Sequence, residues 1–125
     1  MSNPSVIFGC PVCKAQITLP LTPLPAGQSV CLDDGEPAVP RGLFLDDKDN
    51  DITGWEKRVL VNLADLVGTK HHTDAHRLNG CCGHDGLDGP NVTCEQGHEV
   101  ATEKSDCWMP HCALLLPNVS RSAVR

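Results

Sequence analysis

The sequence predicts an α+β fold: a small core of antiparallel strands, one helix and a long ordered glycine-rich loop. Three observations carry this. Two short stretches, "GCPVCKAQITL" from Gly9 and "VTCEQGHEVAT" from Val92, each pass through a tight turn bearing cysteine or histidine and leave it as an alternating run. Between them, Thr53 to Gly68 repeats its apolar residues at helical spacing. The segment "KHHTDAHRLNGCCGHDGLDGPN", Lys70 to Asn91, contains four glycines and a proline and suits an ordered loop better than regular structure.

At 125 residues the chain makes one domain, residues 1–125, but aromatic residues are 3% of it and there is no tyrosine. A chain so short of large core residues needs covalent or metal staples to hold a unique fold. Eight cysteines and six histidines supply them. The opening "MSNPSVIFGCPVCK" has neither a basic region nor a long apolar run, which predicts no secretory leader and a cytoplasmic protein. Thiols stay reduced there, so clustered cysteines point to metal or redox chemistry. The even cysteine count and the adjacent Cys81 and Cys82 keep a disulfide framework open. Two sequons, at Asn91 and Asn118, would matter only in a secretory pathway.

Taken in order, "VIFG" and "KAQITL" read as strands flanking the first turn, with Ala15, Ile17 and Leu19 alternating against polar neighbours. "PLTPLPAGQ" is a proline-rich connector, "SVCL" and "GLFL" are short strand candidates, and "DDGEP" is a turn. Asp47, Asp49 and Asp51 match the first three positions of an EF-hand loop. The pattern then fails, because Ile52 stands at the glycine position and Arg58 at that of the bidentate glutamate. An exposed acidic loop remains. Thr53 and Glu56 form a capping box, Val59, Leu60, Leu63, Leu66 and Val67 share a helical face, and Gly68 is a stop signal. A strand over "VLVNL" is the alternative, because Val59, Val61 and Leu63 also alternate.

The two turns combine into one site. In a Cys-x-x-Cys hairpin turn both sulfurs face one side and backbone N–H groups donate to the thiolates, which suits tetrahedral zinc. Cys10 and Cys13 fit that spacing. Cys94 ends a strand as Cys10 does, and His98 follows one position late, with Gly97 allowing the tighter path. The candidate ligands are therefore Cys10, Cys13, Cys94 and His98, with Cys82 as the alternative fourth. Over these two hairpins the chain resembles the zinc-ribbon group of folds, which implies a structural zinc.

Other clusters offer less regular spacing. "DCWMPHC" brings Cys107, His111 and Cys112 together, and Cys81 or Cys82 would complete a second metal site; small buried thiols are the bland reading. "HHTDAH" would put His72 and His76 one turn apart with Asp74 between them, as a metal-dependent hydrolase requires, but no H-E-x-x-H is present. A Cys10–Cys13 redox pair is disfavoured because "KAQITLPLTP" does not open a helix.

The formal net charge of -6 and the scattered basic residues argue against nucleic acid, and no run approaches the roughly 20 apolar residues of a membrane helix. The expectation is a non-enzymatic, zinc-stabilised binding or adaptor module for a protein partner. A metal-dependent hydrolase and a thiol redox protein are the alternatives.

Overall fold

The computed structural model describes residues 5–25, 28, 30–46 and 58–124. They form strands β1 (Ser5–Gly9), β2 (Thr22–Pro23), β3 (Leu43–Asp46), β4 (Val59–Val61), β5 (Thr69–His71), β6 (Val92–Cys94), β7 (Glu99–Lys104), β8 (Cys112–Leu115) and β9 (Ser120–Val124). Seven strands make one mixed sheet in the order β2-β3-β4-β8-β7-β6-β5, and β1 pairs with β9 in a separate antiparallel ribbon. Within the large sheet β2 and β3 are parallel; the other pairs are antiparallel.

The α+β expectation is overturned. Helical structure among the described residues consists of two single turns of 3-10 helix, Leu63–Asp65 and Ala75–Arg77. Where the sequence pattern suggests a helix through Gly68, the chain instead forms β4, a 3-10 turn and the approach to β5. Thr53 and Glu56 of the expected capping box lie outside the described residues, as do Asp47, Asp49 and Asp51.

The physical reason is the position of β4. It lies between β3 and β8, and all three of its residues are buried. Val59 and Val61 face one apolar cluster with Phe8, Ile17, Leu21, Phe44, Ala113 and Leu115. Leu60 points the other way, into a smaller cluster with Ala38, Val39, Cys112 and Leu114. Side chains alternate across a strand, so a strand covered on both faces must be apolar at every position. That continuous run also satisfies a helical period, and burying a side chain such as Leu60 contributes about 1.5–3 kcal/mol in either geometry. Pairing decided between them.

Several local signals do match. "VIFG" is β1 and "GLFL" is β3 with its preceding turn, where Gly42 has φ 83°. The "DDGEP" turn closes through Glu36 N–H donating to Asp33 C=O, with Gly35 at φ 79°. The described residues of "KAQITL" and "SVCL" contribute no named strand. Gln16 and Thr18 make isolated bridges, to Gly9 and Leu66. Phe8 packs edge-on against Phe44, ring centroids 5.1 Å apart, joining the small ribbon to the large sheet.

The polar segment between β5 and β6 is held by side chains instead of backbone ladders. Arg77 donates to the Pro90 carbonyl at 3.0 Å and to Glu99 at 2.9 Å, and Asn79 donates to Asp88 at 2.7 Å. Asn91, fully buried, closes it. Its amide nitrogen donates to the Glu103 carbonyl at 3.1 Å, and its amide oxygen accepts from the Glu103 N–H at 2.6 Å. The first sequon is therefore a structural clamp, not a surface acceptor.

Candidate metal centre

Cys10 directly follows β1 and begins a turn closed by its own N–H donating to the Ala15 carbonyl, 2.8 Å, and by Lys14 N–H donating to the Cys10 carbonyl, 3.0 Å. Lys14 takes the left-handed conformation, φ 65°, that lets the chain reverse. Cys94 ends β6 and begins the second turn, closed by Cys94 N–H to the His98 carbonyl at 2.9 Å and by Gly97 N–H to the Cys94 carbonyl at 2.9 Å. Gly97 holds the left-handed position at φ 90°. The second turn is one residue tighter, so its second donor comes after the left-handed residue, while Cys13 comes before its own.

The two turns face each other. One donor atom from each of Cys10, Cys13, Cys94 and His98 lies within 4.8 Å of all the others, close enough to hold a metal ion. Cys13 Sγ is 3.9 Å from Cys94 Sγ, and His98 Nδ1 is 3.7 Å from Cys10 Sγ and 3.4 Å from Cys94 Sγ. Tetrahedral zinc with Zn–S bonds of about 2.3 Å needs sulfur–sulfur edges of about 3.8 Å and slightly shorter sulfur–nitrogen edges. The spacings fit. Val12 N–H donates to Cys10 Sγ at 3.4 Å, a hydrogen bond that spreads thiolate charge.

Electrostatics at Cys94 favour the ligating form. Burial pushes its thiol up, but hydrogen bonds from the backbone of His98 and Gln96, aided by Cys13 and Cys10, outweigh this and bring it down to about 7. For Cys13 the Ala15 backbone lowers the pKa, but desolvation and its sulfur neighbours together leave it raised. A cation at the centre would remove that opposition.

Cys82, the alternative fourth ligand, is elsewhere. Its Sγ is 3.1 Å from Cys107 Sγ and 3.8 Å from Cys81 Sγ, in a separate exposed group of three thiols. Cys112 and His111 do not join them. Cys112 is buried beside Leu60 and Leu114, which pushes its thiol up to about 12, and a His111 ring nitrogen lies 3.0 Å from the Asp106 carbonyl. Cys10 and Cys13 are free thiols, and each Sγ lies near donors of the opposing turn.

His72, Asp74 and His76 do not gather into one metal-binding group among the described residues. A His76 ring nitrogen lies 3.2 Å from the Asp74 carboxylate, which also accepts from His76 N–H, but the His76 side chain is 97% exposed and a ring nitrogen of His72 turns to Glu99 at 3.0 Å. A different histidine group does form: His71, His84 and Glu103 also bring donor atoms within 4.8 Å. A His71 ring nitrogen is 3.0 Å from Glu103, whose other carboxylate oxygen accepts from Ser105 at 2.7 Å. His71 and Glu103 also border a cavity of about 290 Å³ walled by Leu63, Leu66 and Val92.

Sequence reasoning missed Asp106, His84 and Glu103. Asp106 had a readable signal, since an aspartate immediately before a turn accepts from nearby backbone N–H groups. Glu103 had none, because its partners come from β5 and the glycine-rich segment. Comparison with known proteins finds no matching family model, no matching curated protein and no matching solved structure. Among the described residues no helix is long and apolar enough to cross a membrane.

Proposed function

We propose that this chain is a zinc-stabilised, non-enzymatic binding or adaptor domain, its metal held by Cys10, Cys13, Cys94 and His98 in a zinc-ribbon-like centre. The convergence of these four donors from two hairpins 81 residues apart carries the reading. Three sulfurs and one imidazole select a borderline-soft ion, and four protein ligands leave no position for water or substrate. Zinc here ties the β1 ribbon to the edge of the large sheet, a staple that a core with so few aromatics needs. A reducing cytoplasm would keep the thiols available.

The partner is a protein with a basic face. Net charge of -6 supports that complement and opposes a polyanion. Val12, at the tip of the first turn, is 65% exposed, so the centre holds an apolar side chain rigidly at the surface. The hydrolase alternative loses support because the His72 ring turns to Glu99, away from the Asp74 and His76 pair.

Metal analysis of the purified protein, combined with thermal melts before and after chelation, tests the reading. Tightly held zinc whose removal unfolds the chain is the expected result. A metal-free protein with the same cooperative melt would overturn it.

A further inference from the structure

We propose that Cys81, Cys82 and Cys107 form a second metal site, a three-thiolate cradle for a thiophilic d10 cation, Zn²⁺ or Cu⁺, with its remaining coordination position facing solvent. The three sulfurs lie within 4.8 Å of one another, and all three residues are exposed. The Cys81–Cys82 separation of 3.8 Å matches the edge of a metal-sulfur polyhedron, whereas Cys82 and Cys107, at 3.1 Å, must move apart by several tenths of an ångström to share an ion. Soft thiolate donors select Zn²⁺ or Cu⁺ over hard cations. Binding exchanges the three thiol protons for the ion and changes no oxidation state.

The cradle is built, not incidental. Asp106, buried between the two segments, accepts from the N–H groups of Cys81 at 2.8 Å, Cys82 at 2.9 Å and Cys107 at 2.8 Å, and from the Trp108 indole at 2.9 Å. One carboxylate thus fixes the backbone of all three cysteines. The four donors are neutral, so the Asp106 charge stays beside the sulfurs, where a cation offsets it.

Glycines permit the approach. A Cβ at Gly83 would collide with the Ser105 carbonyl, and one at Gly80 with the Gly83 carbonyl. His84 and Ser105 then lock the segments: His84 N–H donates to Ser105 Oγ at 3.0 Å, and Ser105 N–H to the His84 carbonyl at 2.8 Å. The site differs from the first in kind. Two of the first centre's cysteines are fully buried and its coordination is complete. Here every ligand is at the surface and one position is open, so the ion exchanges with solvent and can accept a ligand from outside.

The test uses the full chain, reduced and loaded with Co²⁺, and separately with Cu⁺ competed against a chromophoric chelator. Cobalt bound to thiolates gives charge-transfer absorption that the His71, His84 and Glu103 group cannot produce. Expected is cobalt uptake beyond the first centre, with the excess and its absorption lost in a C81S/C82S/C107S variant that keeps the first centre loaded. Asp106→Asn should weaken that second uptake about 10- to 100-fold. The Cu⁺ arm identifies the ion: retention against the chelator assigns Cu⁺, and loss with Zn²⁺ retained assigns Zn²⁺.

Should the triple variant fail to fold, maleimide labelling of the wild-type chain decides. Metal-dependent protection of Cys81, Cys82 and Cys107 supports the site. Equal labelling with and without all three ions, or a Cys82–Cys107 disulfide that excludes them under reducing conditions, overturns it.

Discussion

Cys13 Sγ lies 3.9 Å from Cys94 Sγ although 81 residues separate them. Neither turn can place the other, so this distance measures the docking of the β1 ribbon on the end of β6. An ion held between the turns would convert that docking into folding free energy. Cys13→Ser should therefore lower the melting temperature sharply and release the metal, read by calorimetry and metal analysis of the same sample. An unchanged melt with full metal content would exclude the four-ligand centre.

The fourth ligand can be tested separately. His98→Ala should weaken zinc binding strongly at the first centre, while Cys82→Ala should leave it intact, because the Cys82 sulfur sits against Cys107 at 3.1 Å. Competition with a chromophoric chelator measures both, with readings confined to the tightest site. Retention by His98→Ala and loss by Cys82→Ala would reverse the assignment.

Cys112 predicts an alkaline instability. Burial raises its folded-state pKa from the ordinary 9.0 to about 12. The folded thiol keeps its proton where the unfolded chain loses it, so its contribution is fully present below pH 9.0 and falls as pH rises toward about 12. Denaturant melts from pH 8 upward should show stability declining across that window, and Cys112→Val should make the decline shallower without abolishing it, because the Cys107 thiol is also pushed up to about 12. In the folded protein at pH 9 iodoacetamide should modify Cys31 well before Cys112, which is fully buried. Rapid native alkylation of Cys112 would contradict this.

Asn91 predicts a loss of stability without loss of the first centre. Its side chain satisfies both backbone groups of Glu103. Asn91→Leu leaves a buried N–H and C=O unpaired, at a cost of about 2–4 kcal/mol. Denaturant midpoints should fall accordingly while tight metal content stays unchanged. A neutral result would mean that solvent or a shifted strand replaces the amide.

Much of the first site is legible locally. The Cys10 and Cys94 turns each follow a strand, reverse through a left-handed residue and carry a second donor three or four positions on, all within a few residues of the sequence. His98 could be paired with Cys94 because one turn delivers both side chains. The residues of the three-thiol group were also visible, but not their grouping. Cys107 joins Cys81 and Cys82, without His111 or Cys112, because Asp106 collects their N–H groups across 25 residues.

By itself the sequence determined where the chain turns and which side chains each turn carries, because a turn's conformational demands are met within a few residues. Tertiary structure alone decided the state of Val59, Leu60 and Val61. An apolar run suits a helix as well as a strand, and local propensity separates the two by only a few tenths of a kcal/mol per residue. What settled it was β8 on one side, β3 on the other, and an apolar cluster against each face of the strand between them. Those neighbours lie far away in sequence, and their pairing outweighs any preference the segment has alone.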